Sequence, residues 1–224
     1  MKKILSTTAI AGSLCLLGTG SFADSKSIAG PHIGISASVI GAEFDGKRTA
    51  SDNTTSMTGR AGLVGGIGDI DVGYTAALDK NSAVTIGVRY IPLKVDGSGT
   101  SSDTTTGTTI KGELENIYGA YIKPTYAISK DASVFVGVHY LKGDLNVTGL
   151  SATGSQKPGD LEGWGGSVGV RVNLTPSAFL SVEASYTDFD SLTAKDVSAD
   201  GIRTKTVTFD PKIAEGRVTL GFKF

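Results

Sequence analysis

The sequence is short of most residues that carry chemistry. It has one cysteine, two histidines, one tryptophan and two methionines in 224 residues. The lone Cys15 lies near the N-terminus, so residues 24–224 hold no thiol, which excludes disulfides and thiolate metal sites there. Neither charge sign dominates: 21 basic residues face 22 acidic ones. That balance argues against a nucleic-acid partner, which needs a basic excess. No apolar run reaches the about 20 residues of a membrane-spanning helix, and no 3.6-residue apolar stripe follows the N-terminal segment. Only six prolines are present, but there are 31 glycines and much threonine. The composition points to an all-β protein.

The N-terminus reads as an address. Met1-Lys2-Lys3 is a basic start, "ILSTTAIAGSLCLLG" is apolar but short, and "SFA" puts small residues before Asp24. This is the pattern of a secretory signal peptide over residues 1–23. Leu14 before Cys15 does not fit a lipoprotein signal. Residues 24–224 show no linker or composition shift and read as one domain.

Eight segments of that domain alternate apolar and polar with period two. Examples are Ile33, Ile35, Ala37 and Val39 against His32, Gly34, Ser36 and Ser38, and Val134, Val136, Val138 and Tyr140 against Gly137 and His139. Tight links ("ALDKNS", "SKDA", "TPSA") alternate with long polar stretches near 45–61, 96–109, 148–162 and 188–211. All short links therefore fall at one end and all long ones at the other.

Alternation alone leaves open which face meets solvent. A secreted lipocalin-like barrel would bury the apolar face; a transmembrane β-barrel would turn it outward. Three features favour the second. Tyr90, Tyr118, Tyr140, Trp164 and Tyr186 fall near the long-loop end of the apolar face, and Tyr74, Tyr126, Phe222 and Phe224 near the short-turn end. Two belts of amphipathic rings suit two membrane interfaces. The segments also match the about 9–11 residues of a spanning strand. Finally, the polar face carries six acids (Asp69, Asp71, Glu113, Glu115, Glu183, Glu215) and six bases (Arg89, Lys111, Lys123, Arg171, Arg217, Lys223). In a narrow eight-strand barrel each must find a partner or water, which predicts a polar, salt-bridged plug. Asn116 and Pro124 are the least comfortable residues of the apolar face, and Pro124 predicts a local bulge.

These features resemble the small outer-membrane β-barrels of Gram-negative bacteria: the OmpA membrane domain, OmpX and the opacity proteins. The resemblance covers residues 24–224 and implies an eight-stranded antiparallel up-and-down transmembrane barrel in the outer membrane, likewise monomeric and without a cofactor. In that family a terminal aromatic preceded by alternate apolar residues is read by the assembly machinery, and Val218, Leu220, Phe222 and Phe224 fit that signal. The chain stops at Phe224, so the peptidoglycan-binding domain of full-length OmpA-type proteins is expected to be absent. Outer-membrane lipid and lipopolysaccharide are the implied partners, with an extracellular ligand for the loops left open.

Family relatives include enzymes that act on lipid A. His32 ("HIG") and His139 ("HYL") lack the serine two residues on that one such enzyme uses, and both lie in the polar phase, where hydrogen-bonded lumen groups are the simpler reading. "GGIGDIDVG" (Gly65 to Gly73) lacks the spacing and following helix of a dinucleotide loop, and as a calcium nonapeptide it is a single, misregistered copy. Its glycines suggest close strand packing or curvature. The alternating "IRTKTVTF" (Ile202 to Phe209) predicts a projecting hairpin with an exposed edge, where another chain could add as a strand. The resulting expectation is a non-enzymatic barrel that supports the envelope and presents four extracellular loops for adhesion or recognition. The alternative is an OmpW-like narrow channel for small hydrophobic or ionic solutes, which an apolar lumen would favour and twelve inward charges oppose.

Overall fold

The computed structural model describes residues 24–49, 56–92, 95–100, 109–148, 156–197 and 204–224. The expected signal peptide, residues 1–23, lies outside them, as do the side chains of Lys111 and Glu113. After a 3-10 turn at Ser25–Ile28 come ten strands: β1 (Gly30–Thr49), β2 (Ser56–Ala77), β3 (Ser82–Ile91), β4 (Val95–Thr100), β5 (Thr109–Ala127), β6 (Ala132–Thr148), β7 (Gln156–Asn173), β8 (Ala178–Phe189), β9 (Leu192–Val197) and β10 (Thr204–Lys223). Each pairs antiparallel with its neighbours, and β1 pairs with β10, from His32↔Lys223 to Thr49↔Thr206, closing the sheet. β4 continues the pairing of β3 along β5, and β9 continues that of β8 along β10. The ten strands thus make eight staves of an up-and-down barrel.

The apolar face is outside. Ile35 and Val39 on β1, Ile86 and Val88 on β3, and Val136 and Val138 on β6 are all at least half exposed. On the same strands His32, Ser38 and Arg89 are buried. Such a surface would be untenable in water and is what a lipid environment requires, with closure removing every sheet edge at that level.

The short links are three turns of one design. Asp79 Oδ1 accepts from the backbone N–H of Asn81 and Ser82, both at 2.8 Å. Ser129 Oγ accepts from Asp131 and Ala132 at 3.3 and 3.0 Å. Thr175 Oγ1 accepts from Ser177 and Ala178 at 3.3 and 2.9 Å. Each polar side chain mimics a backbone carbonyl and fixes the reversal.

Two expectations need correction. The long polar stretches are largely strand: β1 and β2 stay paired up to Thr49↔Ser56, and β6 runs to Thr148. Their Thr, Ser and Gly residues resemble loop composition, yet they can pair in water above the membrane. The segment Thr204–Phe209 is no edge, because it pairs with β9 on one side, and its residues Thr206–Phe209 pair with β1 on the other. Among the described residues, β4 and β9 each have a single pairing partner.

The bulge also lies elsewhere. Pro124 keeps its register with β3, opposite Val84, and the β5–β6 ladder passes it without a shift. The register breaks between Glu115 and Tyr118, around Asn116, whose φ of 52° is the one positive value among the described residues other than glycine. Asparagine tolerates that left-handed conformation better than most residues, and its Nδ2 donates to Asp144 Oδ2 at 2.9 Å.

Candidate functional site

The lumen is filled, and it is filled in layers. Nearest the short turns, polar pairs bridge neighbouring strands: Thr75 to Thr85 and Ser36 to Thr219, each at 2.9 Å. Aromatic rings project inward among them. Phe179 packs edge-on to His32 and lies 3.6 Å beneath the Arg171 guanidinium, while Phe135 faces Lys123. Inward glycines make room for such rings; a Cβ at Gly87 would lie 2.3 Å from the Tyr121 hydroxyl.

Above this sits a chain of ion pairs crossing the barrel. Lys123 Nζ on β5 lies 2.8 Å from Glu183 Oε2 on β8, and the same oxygen accepts from Arg217 Nη2 on β10. Arg217 Nη1 reaches Asp69 Oδ1 on β2 at 3.3 Å. Arg89 Nη2 on β3 reaches Asp69 Oδ2 at 2.9 Å, and Arg89 grips both carboxylate oxygens of Glu215, at 2.5 and 2.8 Å. Arg217 and Glu183 are direct cross-strand partners in register, whereas Arg89, opposite Asp71, reaches diagonally to Asp69. Asp71 takes a different donor, the Tyr121 hydroxyl at 2.9 Å, with His32 Nε2 3.4 Å from the same oxygen. His139 Nε2 lies 2.8 Å from Thr187 Oγ1.

At the long-loop end the interior turns apolar. Ile40, Ala42, Ile67, Ile91, Ile117, Leu141, Leu161, Phe189, Leu192 and Ile213 form one buried cluster, with Phe44 packed against it. These residues occupy the same phase as the lumen charges, so the polar face of each strand becomes apolar over its upper part. The outer face changes at the same height. Lys142 stands across from Glu162 and Asp188 across from Lys212, just above the aromatic belt. Lys142 Nζ also lies 2.9 Å from Asp160. The Lys142 ammonium holds the Glu162 carboxyl below the usual carboxylate range, and its bonds to Glu162 and Asp160 raise Lys142 above the ordinary lysine value.

The predicted site residues are therefore distributed unevenly. Asp69, Arg89, Lys123, Glu183, Glu215 and Arg217 meet in one network; Asp71 and Arg171 lie beside it with other contacts. Lys223 sits at the short-turn mouth, where its ammonium donates to the Ser27 carbonyl. Glu115 does not share the lumen phase. The Asn116 bulge places it opposite Asp144, in step with Lys142 and the outward Tyr140 phase, because one extra residue flips every side chain beyond it. The belts are on the surface. Tyr74, Tyr90, Tyr118, Tyr126, Trp164 and Tyr186 are exposed, and Tyr140, half-buried, packs 5.2 Å from Trp164. Val218, Leu220, Phe222 and Phe224 all face outward. Tyr121 lies in the lumen, in the polar phase of Lys123 as the alternation of its strand implies. Sequence reasoning missed Phe135 and Phe179 as lumen groups, although their phase with Gly137 and Ser181 marked them.

An inside-out, closed eight-stave barrel with two aromatic belts belongs in a membrane. The sequence matches the family described as the outer membrane protein beta-barrel domain over residues 9–209. The chain belongs to that family. It is a protein of the bacterial outer membrane, with the short turns at the periplasmic end and the long hairpins outside. Among solved structures, the outer membrane protein OprG of Pseudomonas aeruginosa is 15% identical, with a TM-score of 0.53 over 88% of this chain and 97% of that one. Ail, the attachment invasion locus protein of Yersinia pestis, is 12% identical, with a TM-score of 0.44 over 84% and 98%. The outer membrane protease OmpT of Escherichia coli is 9% identical, with a TM-score of 0.49 over 87% and 97%. At such identities the likeness shows the fold alone. No curated protein matches the sequence.

Proposed function

We propose that this outer-membrane barrel is a non-enzymatic, non-conducting wall element that presents its long hairpins to the exterior for recognition or adhesion. The observation that carries the reading is the filled lumen. An ion-pair chain from Lys123 to Glu215 spans the barrel, and an apolar cluster whose buried members are at most 8% exposed closes it above. A solute crossing the barrel would have to break several buried ion pairs and then wet a packed apolar layer, each of which costs several kcal/mol or more. Lipid and lipopolysaccharide are the partners of the outer wall: the aromatic belts suit its interfaces and the charge pairs above them suit a headgroup region. The four long connections read from the sequence, near 45–61, 96–109, 148–162 and 188–211, are the proposed recognition elements.

The alternative, a narrow channel for small hydrophobic solutes, draws on the apolar upper lumen. That cluster is packed side chain against side chain, and the charged layer beneath it offers an apolar solute nothing. Planar-bilayer recording with purified, refolded protein tests the proposal. Leak-level current is expected; steady, unitary conductance steps of reproducible size would overturn it.

A further inference from the structure

Below the ion-pair chain, toward the periplasm, lies a cavity of about 40 Å³ whose lining includes His32, Asp71, Arg171, Phe179 and Ser181. That volume exceeds the roughly 10–15 Å³ a water molecule needs. Its buried polar atoms are only partly engaged. Arg171 is 7% exposed, and its Nε and Nη2 have no hydrogen-bond partner; Asp71 Oδ1 and His32 Nδ1 have none either. Arg171 and Asp71 thus face the cavity as a separated pair, one offering unused donors and the other an unused acceptor. The inner charges balance: Arg89, Lys123, Arg171 and Arg217 against Asp69, Asp71, Glu183 and Glu215. An added ion would upset that balance in a poorly solvated space. The chemistry suits an uncharged occupant with both an acceptor and a donor, such as water or a small amide or alcohol.

The way in from the periplasm is covered by the N-terminal segment. Asp24 caps the 3-10 turn, accepting from Lys26 N–H at 3.0 Å, and the turn lies across the mouth with Ser25 and Ile28 at most 2% exposed. Its fastenings reach around the rim. Ser25 N–H donates to Lys80 O at 2.8 Å and its hydroxyl to Asp79 O; Ser27 Oγ donates to Lys130 O at 2.7 Å. Asn173 Nδ2 and the Lys223 ammonium both donate to Ser27 O. Two periplasmic turns and the ends of β7 and β10 are held by this one segment. It joins β1 at Gly30, whose φ of 119° favours glycine and places the joint beside the Phe224 carbonyl.

We propose that residues 24–29 are a stopper, hinged at Gly30, over a periplasmic vestibule that admits water and small uncharged polar solutes when the stopper lifts. No backbone ladder holds the segment, only the scattered bonds above and the buried Ile28, so it is a unit able to leave without opening the barrel.

The test uses full-length protein exported to outer membranes, in a Cys15→Ser background, with Ser181→Cys as a reporter inside the vestibule. The reagent is the small, uncharged methyl methanethiosulfonate, and heat-dependent gel mobility verifies folding. Ile28→Gly, which removes the stopper's side chain, is expected to speed labelling at least tenfold. In a second protein, Ser27→Cys and Lys130→Cys fasten the stopper by a disulfide; labelling of the reporter thiol is expected to be at least tenfold slower oxidised than reduced. Equal rates in the oxidised and reduced forms would overturn the proposal, even if the Ile28→Gly protein failed to fold. Failure of the disulfide to form in a folded barrel would also count against it.

Discussion

At the scale of single residues, the lumen is a balance of buried charges in which each of two arginines serves two acids. Arg89 holds Glu215 by two bonds and Asp69 by one, while Asp69 also has Arg217. Arg89→Met should therefore strand Glu215, whose further contact is Ser185 Oγ at 3.4 Å. Breaking a buried pair by removing one partner costs about 3–5 kcal/mol. Adding Glu215→Gln should recover part of that loss, which denaturant unfolding in lipid vesicles would measure as a non-additive double-mutant cycle. A simple sum of the two single losses would show that the pair is not coupled. At the periplasmic turns, two backbone N–H bonds hold the Asp79 carboxyl below the ordinary aspartate range. A carboxyl depressed in the folded state stabilises above its unfolded value, and that contribution disappears as pH falls through the folded one. A carbon-13 carboxyl titration should find Asp79 below a random-coil aspartate, and Asp79→Ala should flatten the acid limb of turn stability. The charges themselves were legible in the sequence because each sits in the polar phase of a strand. Their partners were not, since Arg89 skips the residue opposite it for one two positions along, which register alone does not reveal.

Whole strands show where periodic reading holds and where it slips. Alternation gave the outward face of β3, β6, β7 and β8 directly, because those ladders run without a shift across the spanning region. It slipped on β5, where one extra residue at Asn116 turns Glu115 away from the lumen phase. Asparagine in an apolar phase was visible, but a polar residue among apolar ones does not by itself announce a positive φ. Asn116→Gly should be nearly neutral, since glycine accepts that backbone freely. Asn116→Val should cost about 1–2 kcal/mol, the penalty of a left-handed L-residue, and its thermal mobility shift in gels should come at a lower temperature. Equal behaviour of the two variants would mean that the bulge relocates at no cost. The hairpin extensions were misread for a compositional reason: Thr, Ser and Gly serve equally in loops and in solvated ladders, and pairing depends on the partner strand.

For the molecule as a whole, closure is the organising fact. β10 is the stave that seals the sheet, pairing with β1 from Thr206 to Lys223 and with β8 over its lower half. Its outward Val218, Leu220, Phe222 and Phe224 are exposed to lipid, and Phe224 N–H donates to Pro31 O at 3.0 Å as the last rung. One backbone bond and an 81% exposed ring add little to the folded state. Deleting Phe224 should thus leave refolding in detergent nearly unchanged while lowering outer-membrane levels in cells several-fold. Normal levels in cells would refute the reading of this residue as an assembly address. The inverted faces and the belts were readable from sequence because lipid imposes one rule along every stave. The interior's change from charged to apolar was not read, although Ile40, Ile91, Ile117 and Leu141 each stand in the polar phase of their strands, Ile91 and Leu141 two residues beyond Arg89 and His139.

That change divides the molecule into two regimes stacked end to end. Through the bilayer the wall is greasy outside and polar within. At the level of Lys142, Glu162, Asp188 and Lys212 the faces exchange, and the barrel continues as an ordinary water-soluble one, oily inside and charged outside. The outward hairpins therefore carry a core of their own and need no lipid to keep their shape. Whatever those hairpins present stands on a packed pedestal above the membrane, with a core that does not depend on the lipid beneath.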